Sequence, residues 1–137
     1  MAGVIGMGGF FMKFKKPNEM RTWYQDVLGM KTNDYGVLFE FGGPQTSKGY
    51  LQLGTFEEKT DYFGAEEQKY MLNFRVDDLE LFKSQLEKMS VTIVNELASY
   101  SYGKFLHIED PEGNRIELWE PVDQDFEENE KSSMPMR

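Results

Sequence analysis

One order of elements occurs twice along the chain, and this repetition restricts the fold more than any other feature. Gly9 to Phe14 reads as a strand. Lys16-Pro17-Asn18 opens a helix with Pro in its first turn, and Met20, Trp23, Tyr24, Val27 and Leu28 recur at helical spacing before Gly29 ends it. Val37 to Phe41 and Gly49 to Leu53 follow as strands, joined by 42–48. The order then repeats. Tyr70 to Val76 is a strand, Asp77 and Asp78 cap a helix with Glu80 as a capping-box partner, and Leu79, Phe82, Leu86 and Met89 form its apolar stripe. Val91 to Val94 is a strand, and 105–121 closes the unit as a hairpin. Tyr35-Gly36 recurs as Tyr102-Gly103, and YLQL recurs as RIEL. Two copies are too few for a solenoid, so two β-α-β-β-β modules sharing one curved sheet are expected. Helices would lie on one side and a cleft on the other.

The last hairpin carries the chemistry. In FLHIEDPEGNRIELWEP the turn is Asp110-Pro111-Glu112-Gly113-Asn114, because Pro fixes one φ while Gly and Asn tolerate positive φ. Symmetry about Glu112 sets Glu109 against Arg115, His107 against Glu117 and Phe105 against Trp119. The only histidine of the chain then faces a carboxylate across two strands, with Cβ atoms roughly 5 Å apart. The pair can act as acid and base, or it can simply fix the hairpin register. Extending the repeat sets Glu40 near Gln52, either as a third acidic wall residue or, the favoured reading for such a residue, exposed to solvent. Gln52 and Asn73 are polar residues in apolar strands, where buried amides require partners or line a cavity. Arg115 is placed either to clamp a carboxylate or to bridge to Glu109, and Trp119 to form an apolar wall. Trp23 and Tyr24 read as core.

Composition narrows the function classes. The chain has 137 residues, net charge −9 and 15% aromatics. No Lys/Arg cluster is available to neutralise phosphates, so nucleic acid is not an expected partner. There is no cysteine, which removes disulfides, thiolate catalysis and Cys-based zinc sites and fits a reducing, cytoplasmic setting. Met1 to Phe14 does not read as a signal peptide, and no apolar run approaches a membrane span. The expected organisation is one domain over 1–121, with modules 8–54 and 70–121 joined by a linker at 55–69. An acidic, flexible tail would follow at 122–137. The linker is long and carries Tyr62 and Phe63, which can close over the cleft or bury at a dimer seam.

WYQDVLGM at 23–30, FRVDDL at 74–79 and EDPEGNRIELWEP at 109–121 resemble the vicinal oxygen chelate superfamily, which includes glyoxalase I, bleomycin-resistance proteins and extradiol dioxygenases. The resemblance covers most of 8–121 and implies an α+β, glyoxalase-like fold with an eight-stranded curved sheet around a cleft. It also implies a homodimer and a small-molecule ligand. In metal-using members four ligand positions ring the cleft, two per module. Carried onto this chain they fall at Gln52 and Glu117 on the later strands, and near Gly9 and Met71 on the first strands. A two-step shift gives Phe11 and Asn73. Such a set departs from the metal-binding pattern, so no tightly held metal or other cofactor is expected. Three readings follow. One is a glyoxalase-like lyase or isomerase using Glu117 and His107, with Gln52, Met71, Asn73, Arg115 and Trp119 as ligand contacts. The second is a non-catalytic binding protein of the resistance type. The third is a divalent-metal enzyme with Gln52, His107 and Glu117 as an atypical ligand set.

Overall fold

A computed structural model describes residues 2–41 and 49–122. The acidic segment 123–137 and the 42–48 connection lie outside the described residues. In chain order the elements are β1 (Val4–Phe14), α1 (Pro17–Leu28), β2 (Thr32–Asn33), β3 (Gly36–Phe41), β4 (Gly49–Glu57), β5 (Tyr70–Val76), α2 (Leu79–Lys88), β6 (Thr92–Ile93), β7 (Ala98–Tyr100), β8 (Gly103–Glu109) and β9 (Arg115–Pro121). The strands form one continuous curved sheet in the order β2-β3-β4-β1-β5-β9-β8-β6, with β7 beside β8. Each module keeps its own parallel pair, β1 with β4 and β5 with β9. The modules join through antiparallel β1 and β5. The α+β architecture of two β-α-β-β-β units is thus as the repeat implies, and one chain supplies both halves of the sheet. β1 starts earlier than expected, β4 runs on to Glu57, and the short β2 and β7 are additions.

The repeat is physical as well as textual. Gly36 and Gly103 both hold positive φ, 137° and 144°. A Cβ at Gly36 would lie 1.9 Å from the Leu53 carbonyl oxygen, and one at Gly103 would lie 2.5 Å from Trp119 Nε1. Only glycine suits both the dihedral and the close approach.

Alternation along the strands sends one set of side chains to each face. On the concave face, Phe11, Tyr50, Phe56, Phe63, Met71, Phe105 and Trp119 form an aromatic-rich core. On the convex face, α2 buries Leu79 and Leu86 against Val76, Leu106 and Leu118. Asp78 caps α2 by accepting from the Leu81 amide at 3.1 Å. Asp77 and Glu80 do not form the expected box. Asp77 instead accepts from the Gly3 amide, and Glu80 accepts from Lys104. The first helix is different. Only Pro17 of α1 is buried, and Trp23 is 47% exposed, so the expectation of Trp23 as core fails.

Two outcomes test this reading. Leu79→Ala should cost about 2–5 kcal/mol in urea unfolding, whereas Val27→Ala, on the exposed side of α1, should stay within about 0.5 kcal/mol. The second concerns the 110–114 turn. The Asn114 side chain, and then backbone amides of the turn, hold the Asp110 carboxyl below the usual carboxylate range. A lowered folded value means that its contribution is present above about pH 4 and is lost as pH falls through that lower value. The fall in Tm between about pH 5 and about pH 2 should therefore be shallower in Asp110→Asn than in the parent.

Candidate active site

The hairpin register is the one the sequence symmetry sets. His107 opposes Glu117, Glu109 opposes Arg115 and Phe105 opposes Trp119. Glu117 is completely buried, and His107 is 4% exposed. Three donors reach the Glu117 carboxylate from three different elements. Asn73 Nδ2, on β5, donates to Oε1 at 2.6 Å. His107 Nε2, on β8, lies 2.9 Å from Oε2. The Tyr62 hydroxyl, from the connection between β4 and β5, donates to the same Oε2. A charge taken out of water costs several kcal/mol unless donors surround it. Hydrogen bonds to charged groups contribute about 1.5–3 kcal/mol each, so three are of the right size to offset that cost.

The connection is anchored where it covers this cluster. Gln68 exchanges two hydrogen bonds with the Arg115 backbone, accepting at 2.8 Å and donating at 2.9 Å. Arg115 Nη1 donates to the Tyr62 carbonyl at 3.2 Å. Tyr62 stacks on Phe56 at 5.6 Å and meets the His107 ring edge-on at 4.7 Å. Arg115 therefore holds the covering segment, and the expected bridge to Glu109 is absent. Trp119 is fully buried, stacks on Phe105 at 5.9 Å and sits under the Arg75 guanidinium at 5.5 Å. Met71 is likewise buried in the aromatic core. Tyr62, expected from the long connection to close over the cleft or bury at a seam, joins the cluster through its hydroxyl, a partner that residue pattern did not give. Its signal was an aromatic pair in an unusually long polar connection.

The first module does not repeat this chemistry. Its hairpin register places Leu38, not Glu40, opposite Gln52; Glu40 pairs with Tyr50. Gln52 is buried and turns its Nε2 to the Leu53 carbonyl at 3.2 Å and the Tyr35 carbonyl at 3.5 Å. No hydrogen bond joins it to His107 or Glu117. Two buried acceptors, Gln52 Oε1 and Asn73 Oδ1, have no hydrogen-bond partner. Neither amide can simply flip, because its NH₂ already faces carbonyl or carboxylate oxygens.

Register pairs Gly9 with Gln52 on one side and with Asn73 on the other, and Asn73 with Glu117. The second first-strand position is thus Asn73, not Met71. These four positions hold one carboxylate, two neutral amides and a glycine, and the carboxylate already accepts three hydrogen bonds. Zinc and similar ions require three or four N, S or carboxylate donors. The set does not fit such an ion. Among the described residues, no group of three or more His, Cys, Asp or Glu is placed to hold one.

A pocket of about 460 Å³ opens beside the cluster, lined by Asn18, Arg21, Thr55, Phe56, Asp61 and Tyr62, among others. Arg21 in its wall donates to Thr55 Oγ1 at 2.7 Å and to Asn18 Oδ1. Tyr62 borders both this pocket and the buried carboxylate. Among the described residues, no helix is long and apolar enough to cross a membrane.

A duplicated β-α-β-β-β sheet with a polar cluster on its concave face defines a class, and comparison with known families places the chain in it. The profile of the Glyoxalase/Bleomycin resistance protein/Dioxygenase superfamily matches residues 14–118. The chain belongs to that superfamily. Among solved structures it is similar to methylmalonyl-CoA epimerase from Streptomyces coelicolor, with TM-score 0.67 and 10% identity over 88% of this chain and 99% of that one. It is also similar to methylmalonyl-CoA epimerase from Mycobacterium tuberculosis, with TM-score 0.60 and 20% identity over 87% and 89%. A superfamily member from Vibrio splendidus 12B01 aligns with TM-score 0.53 and 15% identity over 88% and 99%. At these identities the likeness is one of fold. No functionally curated protein matches the chain.

The donor arrangement predicts that Tyr62→Phe lowers unfolding free energy by about 1–3 kcal/mol, because a buried carboxylate loses a donor. In a Glu117→Leu background the same change should cost close to nothing. A double-mutant cycle by urea denaturation measures the difference.

Proposed function

We propose that this chain is an acid–base enzyme that moves a proton on a small metabolite, with Glu117 as the proton-accepting group. The observation that carries the reading is the convergence of His107, Asn73 and Tyr62 on one fully buried carboxylate. Two of these donors sit on sheet strands. The third belongs to the connection between β4 and β5, whose displacement this reading requires. Movement of Tyr62 frees a lone pair of Glu117 Oε2 and joins the carboxylate to the neighbouring pocket.

A substrate entering by that route would present a C–H next to a carbonyl. Glu117 takes this proton while the electron pair passes into the enolate. The enolate is planar at that carbon; once its other face has turned to Glu117 the proton returns to that face, which yields the epimer and consumes no redox partner. His107 keeps the carboxylate oriented throughout. The orphan oxygens of Gln52 and Asn73 favour a substrate bearing N–H or O–H donors on that side. The epimerases among the fold relatives are in keeping with chemistry of this kind.

A second reading, ligand binding without catalysis, draws on the aromatic lining of the concave face. Deuterium incorporation separates the two. A mixture of metabolites with acidic C–H groups is incubated with protein in D₂O and followed by NMR. The enzyme reading expects exchange at one compound, reduced about 10²–10⁴-fold in Glu117→Gln with the fold intact. Line broadening of a compound without exchange would instead select the binding reading.

A further inference from the structure

Taking a proton from a carbon next to a carbonyl moves negative charge from Glu117 to the carbonyl oxygen, and that oxygen needs a donor of its own. The donor set of the four cleft positions does not fit a metal ion, so the donor has to come from the chain. Most N–H groups beside the cluster are committed elsewhere. His107 Nε2 and Asn73 Nδ2 sit on sheet strands and face the carboxylate. Gln52 Nε2 is turned to the carbonyls of Leu53 and Tyr35. Arg75 Nη1 donates to the Tyr50 carbonyl, and Arg115 Nη1 to the Tyr62 carbonyl. Among these donors, the Tyr62 hydroxyl is the one that both touches Glu117 and belongs to no strand.

We propose that Tyr62 is a second catalytic residue, whose hydroxyl donates to the substrate oxygen on which the enolate charge forms, a role that rests on the proton-transfer reading of Glu117. In the resting protein this hydroxyl donates to Glu117 Oε2. When the substrate C–H takes that place, the carbonyl oxygen lies about 2.4 Å from the reacting carbon, as bond lengths dictate. The hydroxyl then has only a short distance to swing. Its anchorage suits that motion. Arg115 holds the Tyr62 carbonyl, the ring stacks on Phe56, and it meets the edge of His107. The backbone stays in place while the side chain turns, so the hydroxyl is moved without being withdrawn. A neutral carbonyl accepts its bond at roughly half the strength that a charged oxygen does, so the contact tightens as the charge arrives. The step balances. The C–H pair becomes the C=C bond, the carbonyl π pair moves to oxygen, and the proton goes to Glu117. Tyr62 keeps its own proton, and its hydrogen bond passes from the carboxylate that loses charge to the oxygen that gains it. Return of the proton to carbon reverses the transfer.

Removing the hydroxyl separates a donor from a mere cover, because the two roles differ in sign. A cover that only hides Glu117 obstructs the reaction, so Tyr62→Phe would leave exchange unchanged or speed it. A donor to the enolate is needed, so the same change slows it. The probes are small α-hydroxy aldehydes and ketones, incubated with the full chain in D₂O and followed by proton NMR. Tyr62→Phe should lower the maximal exchange rate about 10²–10³-fold with little change in the half-saturating concentration, since the bond is strong only in the transition state. Placing p-aminophenylalanine at position 62 keeps the ring and supplies a weaker donor, and should restore part of the rate. Circular dichroism checks folding. If Tyr62→Phe does not fold, p-aminophenylalanine against p-methylphenylalanine at the same position makes the same comparison. Exchange that is equal or faster without the hydroxyl would overturn the role of Tyr62 and leave the reading of Glu117 standing. No exchange with the parent, or exchange that Glu117→Gln does not reduce, would overturn both.

Discussion

A carboxylate with no access to water is the constraint around which this fold is arranged. Glu117 sits at the middle of β9, and its burial is tolerable only while its donors stay in place. Those donors fix β5 through Asn73, β8 through His107 and the β4–β5 connection through Tyr62. The connection is then tied at both ends of its contact, by Arg115 on the Tyr62 carbonyl and by Gln68 on the Arg115 backbone. A segment that composition marks as a loop thus becomes a wall of the site. Its ordering entropy is offset by hydrogen bonds it makes only in this position.

Duplication supplied the scaffold, but divergence confined the chemistry to one side. Both modules keep the glycine with positive φ at the head of the inner hairpin and the parallel pairing of first and last strands. The hairpin registers differ, however. His107–Glu117 in the second module corresponds across the sheet to Leu38–Gln52 in the first. Gly9 stands where Asn73 stands, and a Cβ there would lie 2.6 Å from the Gln52 carbonyl oxygen and 2.8 Å from the Phe11 ring. The first module therefore contributes packing and one orphan amide oxygen, the second contributes His107, Asn73 and Glu117, and the connection between them contributes Tyr62.

Sequence made the local pairing legible wherever a short turn defined it. A five-residue turn with Pro, Gly and Asn leaves one symmetric register, so His107, Glu117, Arg115 and Trp119 could be placed across from one another. The 42–48 connection is longer and sets no single register, so the repeat put Glu40 near Gln52, where the hairpin pairs it with Tyr50; its exposure to solvent is as its type implies. Counting back from the helices put Met71 where Asn73 lies. Gly9 lies eight residues before α1 but Asn73 only six before α2, so a count that assumes equal spacing in both modules slips by two. The face of α1 was unreadable for another reason. An apolar stripe says that a helix has something to bury, not that its own chain buries it. The long connection marked Tyr62 as a residue that can close over the cleft, but not its partner: Glu117 is 55 residues away, and no local pattern encodes that contact.

The four positions facing the cleft do not fit a metal ion among the described residues, and on the proposed reading this changes what a ligand must do. Where a metal would hold a substrate oxygen, this chain offers two buried amide oxygens that lack donors. Each costs about 1–3 kcal/mol in that state. Opening the site sacrifices the Tyr62 bond to Glu117, about 1.5–3 kcal/mol, together with the stacking on Phe56. Under the proposed function, a substrate that donates to Asn73 Oδ1 and presents its acidic C–H to Glu117 would restore much of that loss. One that carries only acceptors would leave both amide oxygens unpaired. On the proposed reading, closure by Tyr62 acts as a filter: the energy needed to displace it is returned only by molecules with donors on the correct side.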